Sequence, residues 1–240
     1  MIAVTVVTPS YRHLEKEAVR RVKKFTGLPV KVIRCKDKDG FMKKLELDKE
    51  CGKQRIMFFD VDWWPLRRVD FAKWDDRPWY SVNDSAVHNP HAFPHTDCGS
   101  HNLDKRRYFN SGFFVCDLSN KNHHSVFVEA RKLRKAALAK KLAMPVDTTD
   151  QFWLNMAVQK LNVMQEMLPL AFNYYHRAAQ WSQIPFIPRE IIGAHAAGEI
   201  LSNKLPVLAA LDRLFSYPEG VSPIHEGVIL AQYERVFHSV

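Results

Sequence analysis

The sequence predicts an α/β fold in which a mostly parallel central sheet is flanked by helices. Three observations lead to this prediction. The chain opens on "IAVTVV", a run rich in β-branched residues that suits a strand buried on both faces. Similar runs then alternate with helical patterns over the first 60 residues. The 240 residues also suffice for one domain, 1–240, with a substantial core.

The first elements follow one another in a regular order. After the opening strand, "HLEKEAVRRVKKF" has helical spacing, and "GLPVKVIRC" is a second strand. "DGFMKKLELDKEC" is predicted to be helical, with Phe41, Leu45 and Leu47 facing inward, and "RIMFF" is a third strand. This alternation predicts right-handed crossover connections and parallel pairing.

The second half is predicted to extend the sheet and its helical layers. "RPWYSVND" and "YFNSGFFVCDL" are strands, and "SVFVEARKLRKAALAKKLA" is a basic amphipathic helix. "TTDQFWLNMAVQKL" is a helix capped by Thr148 or Thr149. "EIIGAHAAG" is strand-like, and "PVLAALDRLFSY" is a helix.

Composition excludes some classes of protein and favours others. No apolar run approaches the ~18 residues that span a membrane, and no basic region precedes the first apolar run, so we expect no signal peptide. The four cysteines contain no C-x-x-C pair, which favours reduced thiols and a cytoplasmic protein. A net charge of +9 and a pI near 9.4 favour a polyanionic partner or a nucleotide substrate.

Two carboxylates directly follow the third strand. Residues i and i+2 of an extended chain project to the same side, so Asp60 and Asp62 can face one ligand while Val61 faces the core. Paired carboxylates repel unless a cation lies between them, and hard oxygen ligands suit Mg²⁺ or Mn²⁺. A second Asp-x-Asp, at residues 37–39, is flanked by lysines and glycine and is predicted to be a solvated turn.

Five segments recur in one order: "FFDVD", "YFNSGFFVCDL", "DQFWLN", "LPLAFNYY" and "HAAG". Together they resemble the GT-A glycosyltransferases, most closely glycosyltransferase family 8 of the glycogenin and galactosyltransferase type, over residues 2–204. The resemblance implies a Rossmann-like GT-A domain. Its nucleotide-sugar-binding part would span about 1–115, and the part that completes the metal site and meets the acceptor about 116–240.

The resemblance implies a metal site and a nucleotide site. Asp60 and Asp62 would hold Mn²⁺ (or Mg²⁺), with His195 as the third protein ligand. Thr8 and Tyr11, in the loop after the first strand, would contact the nucleotide base. The co-substrate implied is a nucleotide-sugar, of the UDP-sugar type.

It also implies contacts to the donor sugar and its phosphates. Asn110, Asp150 and Gln151 would hold the sugar, with Gln151 nearest the anomeric carbon and transfer with retention of configuration. Gly198 and Lys204 would meet the phosphates. The family's lysine follows its glycine by three residues, where this chain has Leu201, so Lys204 departs from the pattern.

Simpler roles remain open for these residues. The segment 110–112 could be a β-bulge, Asp150 could be an acidic residue at a helix start, and His195 could be a core histidine.

Other classes of protein also remain open. A nucleotidyltransferase would normally have a Gly-rich basic loop after the first strand, which "TPSYRHLE" lacks. The alternative that is not an enzyme is a nucleic-acid-binding module without catalytic activity.

The acceptor is open at this stage. "VHNPHAFPHTDCGSH" is predicted to be an acceptor loop, with a structural metal or a plain surface loop as alternatives. Basic runs together with Trp63, Trp64, Trp74 and Trp79 suggest a nucleic-acid acceptor, namely a modified base in DNA that would be flipped out of the duplex. A cell-envelope saccharide or a protein is the competing acceptor.

Overall fold

The computed structural model describes residues 1–84, 102–139, 150–174, 191–197 and 201–215. Within these ranges the chain forms a six-stranded sheet, with helices on both faces, and a separate two-stranded sheet. The strands are β1 (Ile2–Val7), β2 (Val30–Arg34), β3 (Arg55–Phe59), β4 (Trp63–Pro65), β5 (Trp79–Asn83), β6 (Phe109–Asp117), β7 (Gln165–Leu168) and β8 (Gly193–His195). The α-helices are α1 (Arg12–Thr26), α2 (Gly40–Lys44), α3 (Leu47–Cys51), α4 (Lys121–Ala139), α5 (Asp150–Lys160) and α6 (Leu201–Phe215).

The large sheet has the order β2-β1-β3-β6-β5-β7. Strand β1 pairs in parallel with β2 and β3, and β5 pairs in parallel with β7. Strand β6 is antiparallel to both of its neighbours. Three of the five described pairings are therefore parallel, which confirms the prediction of a mostly parallel sheet.

Each face of the large sheet carries its own apolar core, because alternate strand residues point to opposite faces. On one face, Val4 and Phe58 pack with residues of α4 and α5. On the other face, Ala3 and Phe59 pack with the apolar side of α1. Both members of each adjacent pair are fully buried, which explains why β1 and β3 are almost entirely apolar.

The helical segment after β2 divides into two short helices, and this changes its inward face. Leu45 and Leu47 are buried as predicted, but the prediction for Phe41 was wrong, since its side chain is 56% exposed. Helix α2 ends at Lys44 and α3 begins at Leu47. Because the helix is broken after Lys44, the inward-facing positions are not those of one continuous helix. Lys44 is buried and Phe41 is not.

Helix α6 begins earlier than the sequence pattern predicts, because Pro206 lies inside it and not at its start. Proline within a helix removes one backbone hydrogen bond. The earlier start, at Leu201, places Lys204 in the first turn of the helix.

The four tryptophans named above pack in or against the core. Trp63 and Trp79 are fully buried, and Trp64 is 3% exposed. Trp63 donates a hydrogen bond to the Phe172 carbonyl at 2.9 Å, and Trp74 packs edge-on against neighbouring rings. The suggestion that these rings face a nucleic acid was therefore wrong: apolar burial explains them.

Two further expectations can be compared with the described residues. No helix in the described ranges is long and apolar enough to cross a bilayer. Cys35, Cys51 and Cys116 carry free thiols, as predicted. The histidine-rich segment 88–101, and the caps Thr148 and Thr149, lie outside the described residues.

Candidate functional site

The two aspartates after β3 lie in a tight turn at the edge of the large sheet. The Asp60 amide donates to the Gly112 carbonyl at 2.8 Å, which continues the pairing of β3 with β6. The Trp63 amide then donates to the Asp60 carbonyl at 2.8 Å and closes the turn. Val61 is buried. The turn thus presents both carboxylates on one side, as the sequence predicts.

His195 reaches these carboxylates from β8. Strand β8 pairs with β4 so that His195 lies opposite Trp63, and the Ala196 amide donates to the Asp62 carbonyl at 3.0 Å. The imidazole Nε2 is 3.4 Å from Asp62 Oδ1 and 3.8 Å from Asp60 Oδ2. The two-stranded sheet therefore brings a distant histidine to the end of β3.

The three side chains form a donor set that fits a divalent cation. One ligand atom from each of Asp60, Asp62 and His195 lies within 4.8 Å of the others. Asp62 and His195 are buried, whereas the Asp60 side chain is 29% exposed, so the cluster opens on that side. Two carboxylates and an imidazole suit Mn²⁺ or Mg²⁺ and leave coordination positions for oxygen atoms of a ligand.

Gly112 makes room for the histidine ring. A Cβ atom at this position would lie 2.2 Å from His195 Cε1 and 2.9 Å from Asn110 Oδ1. No side chain larger than hydrogen fits there without moving the imidazole or the strand. Glycine in β6 is thus explained by the close approach of His195.

Lys204 lies against the inner carboxylate. Its Nζ is 2.6 Å from Asp62 Oδ2 and donates to the Ala196 carbonyl at 2.7 Å. The Tyr11 ring lies on the same ammonium group, with its centroid 5.6 Å from Nζ. Although its spacing departs from the family pattern, Lys204 is placed in the cluster by the early start of α6.

The site contains a second buried lysine, which the sequence pattern does not predict. Lys44 Nζ is 2.9 Å from Asp60 Oδ1 and 3.0 Å from Asp150 Oδ2, and it also donates to Ser111 Oγ at 3.3 Å. Two adjacent lysines end α2, and nothing in the pattern indicates which one is buried. Only the contacts with Asp60 and Asp150 identify Lys44 as part of the site.

The two aspartates have opposite pKa shifts. Burial raises the pKa of Asp60 above its ordinary value, and the attraction of Lys44 offsets this only in part. Burial also acts to raise the pKa of Asp62, but the contacts with His195 and Lys204 outweigh it and hold that pKa well below the usual range. The exposed carboxylate, Asp60, is therefore the one that an added cation would stabilise most.

Asp150 and Gln151, the first residues of α5, meet the irregular part of β6. Ser111 Oγ donates to Asp150 Oδ2 at 2.7 Å, and the Ser111 amide donates to Gln151 Oε1 at 3.0 Å. Gln151 Nε2 in turn donates to Asp84 Oδ2 at 2.6 Å. The structure thus brings together Asp150, Gln151 and Asp84 next to the cluster of carboxylates.

The segment 110–112 departs from regular pairing with β5. Val82 pairs with Asn110 while Ser81 pairs with Phe114, so the intervening residues of β6 leave that ladder. Asn110 Oδ1 accepts from the Gly112 amide and from Asn173 Nδ2, both at 2.9 Å. The irregularity foreseen as a bulge is therefore present, and it is what turns Ser111 and Gly112 toward the site.

The loop after β1 borders the site on the side of Lys204. Tyr11 is partly buried there, and the Ser10 amide donates to Asp37 Oδ1 at 3.1 Å. Thr8 packs against Gly40, where a Cβ would lie 2.8 Å from the threonine methyl group. Residues 37–39 are exposed, as expected for a solvated turn. Gly198 lies outside the described residues.

Replacing Lys44 by methionine should destabilise the protein, because Asp60 and the buried Asp150 would lose their shared cation. We expect Lys44→Met to lower the free energy of unfolding by about 3–5 kcal/mol, measured by urea denaturation. Lys43→Met is the matched control. Lys43 pairs with Glu46 and Glu50 at the surface, and we expect its loss to change stability by less than about 1 kcal/mol. Equal losses would contradict the assignment of Lys44 as a buried counter-ion.

Sequence comparisons and structure comparisons give different results for this chain. No protein-family model matches the sequence, and neither does any curated protein. Among solved structures, the chain is similar to the galactosyltransferase LgtC in complex with donor and acceptor sugar analogues. The TM-score is 0.56 at 12% identity, over 91% of this chain and 98% of that one. An active-site glutamine-to-glutamate mutant of LgtC gives the same values.

The bifunctional glycosyltransferase WbbM is also similar, with a TM-score of 0.59 at 12% identity. The match covers 87% of this chain and 49% of WbbM, so the chain spans about half of that protein. At such low identity these matches establish a shared fold. The chain therefore has the GT-A fold of these proteins, which confirms the predicted architecture.

Proposed function

We propose that this protein is a metal-dependent glycosyltransferase that moves a sugar from a nucleotide-sugar, of the UDP-sugar type, to an acceptor. The observation that carries the proposal is the cluster of Asp60, Asp62 and His195 beside Lys204, at the carboxyl end of β3. In open α/β sheets, ligands bind at that edge. The GT-A fold shared with LgtC and WbbM supports the same conclusion.

Asp60, Asp62 and His195 would hold Mn²⁺ or Mg²⁺. Such a cation supplies positive charge that stabilises a departing diphosphate. Lys204 would add a second positive charge at the diphosphate, on the side where its ammonium now contacts Asp62. Thr8 and Tyr11 would contact the nucleotide, and Gly198 would approach the phosphates through its backbone.

Asn110, Asp150 and Gln151 would hold the donor sugar. The bonds among Ser111, Gln151 and Asp84 fix the glutamine amide with its oxygen toward β6 and its nitrogen toward Asp84. Such fixed polar groups orient a sugar at little entropic cost. We place Gln151 nearest the anomeric carbon and propose retention of configuration. The LgtC mutant, in which an active-site glutamine is replaced by glutamate, supports the importance of a glutamine in such a site.

We propose a modified base in DNA as the acceptor, on the strength of the net charge of +9. A base in a duplex would have to be flipped out to reach the site. A cell-envelope saccharide or a protein is the competing acceptor. Incorporation of labelled sugar into DNA, saccharide or protein fractions distinguishes the three.

The test is a panel of nucleotide-sugars in thermal-shift measurements with and without Mn²⁺. A specific ligand stabilises the folded state by mass action. We expect one UDP-sugar to raise the melting temperature in Mn²⁺ and to have little effect after chelation. A metal-independent response, or no response across the panel, would contradict the proposal. Release of pyrophosphate from a nucleoside triphosphate and a sugar phosphate would support a nucleotidyltransferase instead.

The acceptor is tested separately, with a radiolabelled form of the sugar that binds. We expect label to be incorporated into DNA that contains hydroxymethylated bases and not into unmodified DNA. The reason is that the acceptor base must supply the hydroxyl group to which the sugar is attached. Incorporation into saccharide or protein fractions alone would overturn the DNA acceptor while leaving the transferase proposal intact.

A further inference from the structure

A basic groove lies on the far side of α2 from the candidate site. It runs between the end of β2, the α2 segment and α4, and has a volume of about 730 Å³. Two carboxylates, Asp39 and Glu46, line it. They are outnumbered by six cationic side chains, which are Arg34, Lys36, Lys43, Arg131, Arg134 and Lys135.

Three of these cations are held by carboxylates that give the groove its shape. Arg131 binds both oxygens of Asp48 at 2.6 and 2.8 Å and thereby ties α4 to the α3 segment. Lys43 pairs with Glu50 at 2.6 Å, and Arg34 pairs with Glu15.

Among the residues that the structure describes, the other three cations have no such partner. Among the described residues, no carboxylate lies within 4.0 Å of the charged groups of Lys36, Arg134 or Lys135. The Nε atom of Arg134 is buried and lacks a hydrogen-bond partner in the described part of the chain. Uncompensated charges of one sign in a concave surface focus the field, so an anion entering the groove is attracted.

The groove is also lined by apolar side chains. Met42, Leu45 and Leu138 line it together with the cations, and Leu138 is 46% exposed. A ligand that fits must therefore combine spaced negative charges with an apolar body. In a nucleic acid the phosphates supply the spaced negative charges, and the faces of the sugars and bases supply the apolar body. The guanidinium group of arginine matches phosphate geometry.

We propose that this groove is a docking site for the phosphate backbone of the DNA acceptor. The inference rests on the proposed function for the identity of the acceptor, but the binding itself can be measured without transfer. Lys43 faces the groove and the next residue, Lys44, faces the candidate site. Helix α2 is thus the wall between them, and a docked strand would lie about 10 Å, one helix diameter, from the reacting sugar.

The test is fluorescence anisotropy with a fluorescein-labelled double-stranded 24-mer, titrated over 50–300 mM NaCl. The groove variant is Lys36→Ala/Arg134→Ala/Lys135→Ala. Its control is Lys16→Ala/Lys23→Ala/Lys53→Ala, which removes three exposed lysines outside the groove. Both triple variants have the same net charge, so long-range attraction is matched between them.

We expect the groove variant to bind at least tenfold more weakly at 100 mM NaCl, and the control to change less than about threefold. The slope of log Kd against log salt should fall by about 3 in the groove variant, or roughly 0.9 for each lost phosphate contact. Equal losses in both variants would mean diffuse charge attraction and would overturn the proposal, as would an unchanged groove variant. Groove-dependent binding of heparin or phosphatidylglycerol vesicles without DNA binding would also overturn it.

Failure of the docking site and failure of the proposed function can be told apart. The groove variant should keep the Mn²⁺-dependent thermal shift with the nucleotide-sugar, because none of its substitutions lies in the site. If the nucleotide-sugar panel is negative while the groove variant loses DNA binding, the function is wrong and the docking site stands. If the panel is positive and DNA binding does not depend on the groove, the docking site is wrong.

Discussion

Asp60→Asn/Asp62→Asn is expected to abolish the Mn²⁺-dependent binding of the nucleotide-sugar and to lower transfer by a factor on the order of 10³. Asparagine keeps the shape of each side chain but removes the two charges that would hold the cation. Binding is measured by calorimetry with and without Mn²⁺, and transfer by the release of nucleoside diphosphate.

The double variant should remain folded, because Lys44 keeps Asp150 and Lys204 keeps the Ala196 carbonyl as partners. We expect a loss of about 3 kcal/mol in the free energy of unfolding, from the two weakened buried pairs. Circular dichroism checks the fold. Asp75→Asn/Asp76→Asn removes the same charge from exposed positions and should keep full activity. Transfer at the wild-type rate by the site variant would refute the proposed function.

Gly112→Ala is the second substitution with a large expected effect. The new Cβ would lie 2.2 Å from His195 Cε1, so the imidazole must leave its place near the carboxylates or β6 must shift. We expect the free energy of unfolding to fall by about 1–3 kcal/mol. Metal-dependent nucleotide-sugar binding should weaken about 10–100-fold, as when a metal ligand loses its orientation. Urea denaturation and calorimetry measure the two effects.

A double-mutant cycle tests the cause of that loss. In a His195→Ala background the ring that the new methyl group meets is absent, so Gly112→Ala should destabilise much less there. His195→Ala alone will also weaken metal binding, which makes stability the informative measurement. If Gly112→Ala destabilises both backgrounds equally, the close approach of His195 is not the reason for the glycine.

Strong local patterns made much of the sheet predictable. The strands β1 and β3 are almost entirely apolar because both of their faces are buried, and few other structures accept such a run. The position of Asp60 and Asp62 could be predicted for the same reason, since a buried strand must end where charge begins. The place of His195 depended on the resemblance to a family, because a short strand such as β8 has little periodicity of its own.

Other features could not be predicted, because they depend on contacts between distant parts of the chain. The expectation for Phe41 assumed one continuous helix, and the break before Leu47 buries Lys44 instead. Trp63 and Trp64 were suggested as contacts to a nucleic-acid acceptor because flat aromatic rings can stack on bases. The paired strand β8 and the Arg21 guanidinium, 4.6 Å from the Trp64 ring centroid, cover them instead. A polar cluster that forms only in three dimensions leaves no periodic signal.

The pairing of β4 with β8 also has a consequence for how the protein matures. Asp62 and Lys204 are 142 residues apart in the chain, and closing so long a loop is slow compared with forming local structure. During synthesis, β1 to β3 are made long before His195 and Lys204 leave the ribosome. A nascent chain would therefore carry the two carboxylates without the histidine that completes their donor set. Selective cation uptake would then be one of the last steps of maturation, and it would distinguish finished molecules from incomplete ones.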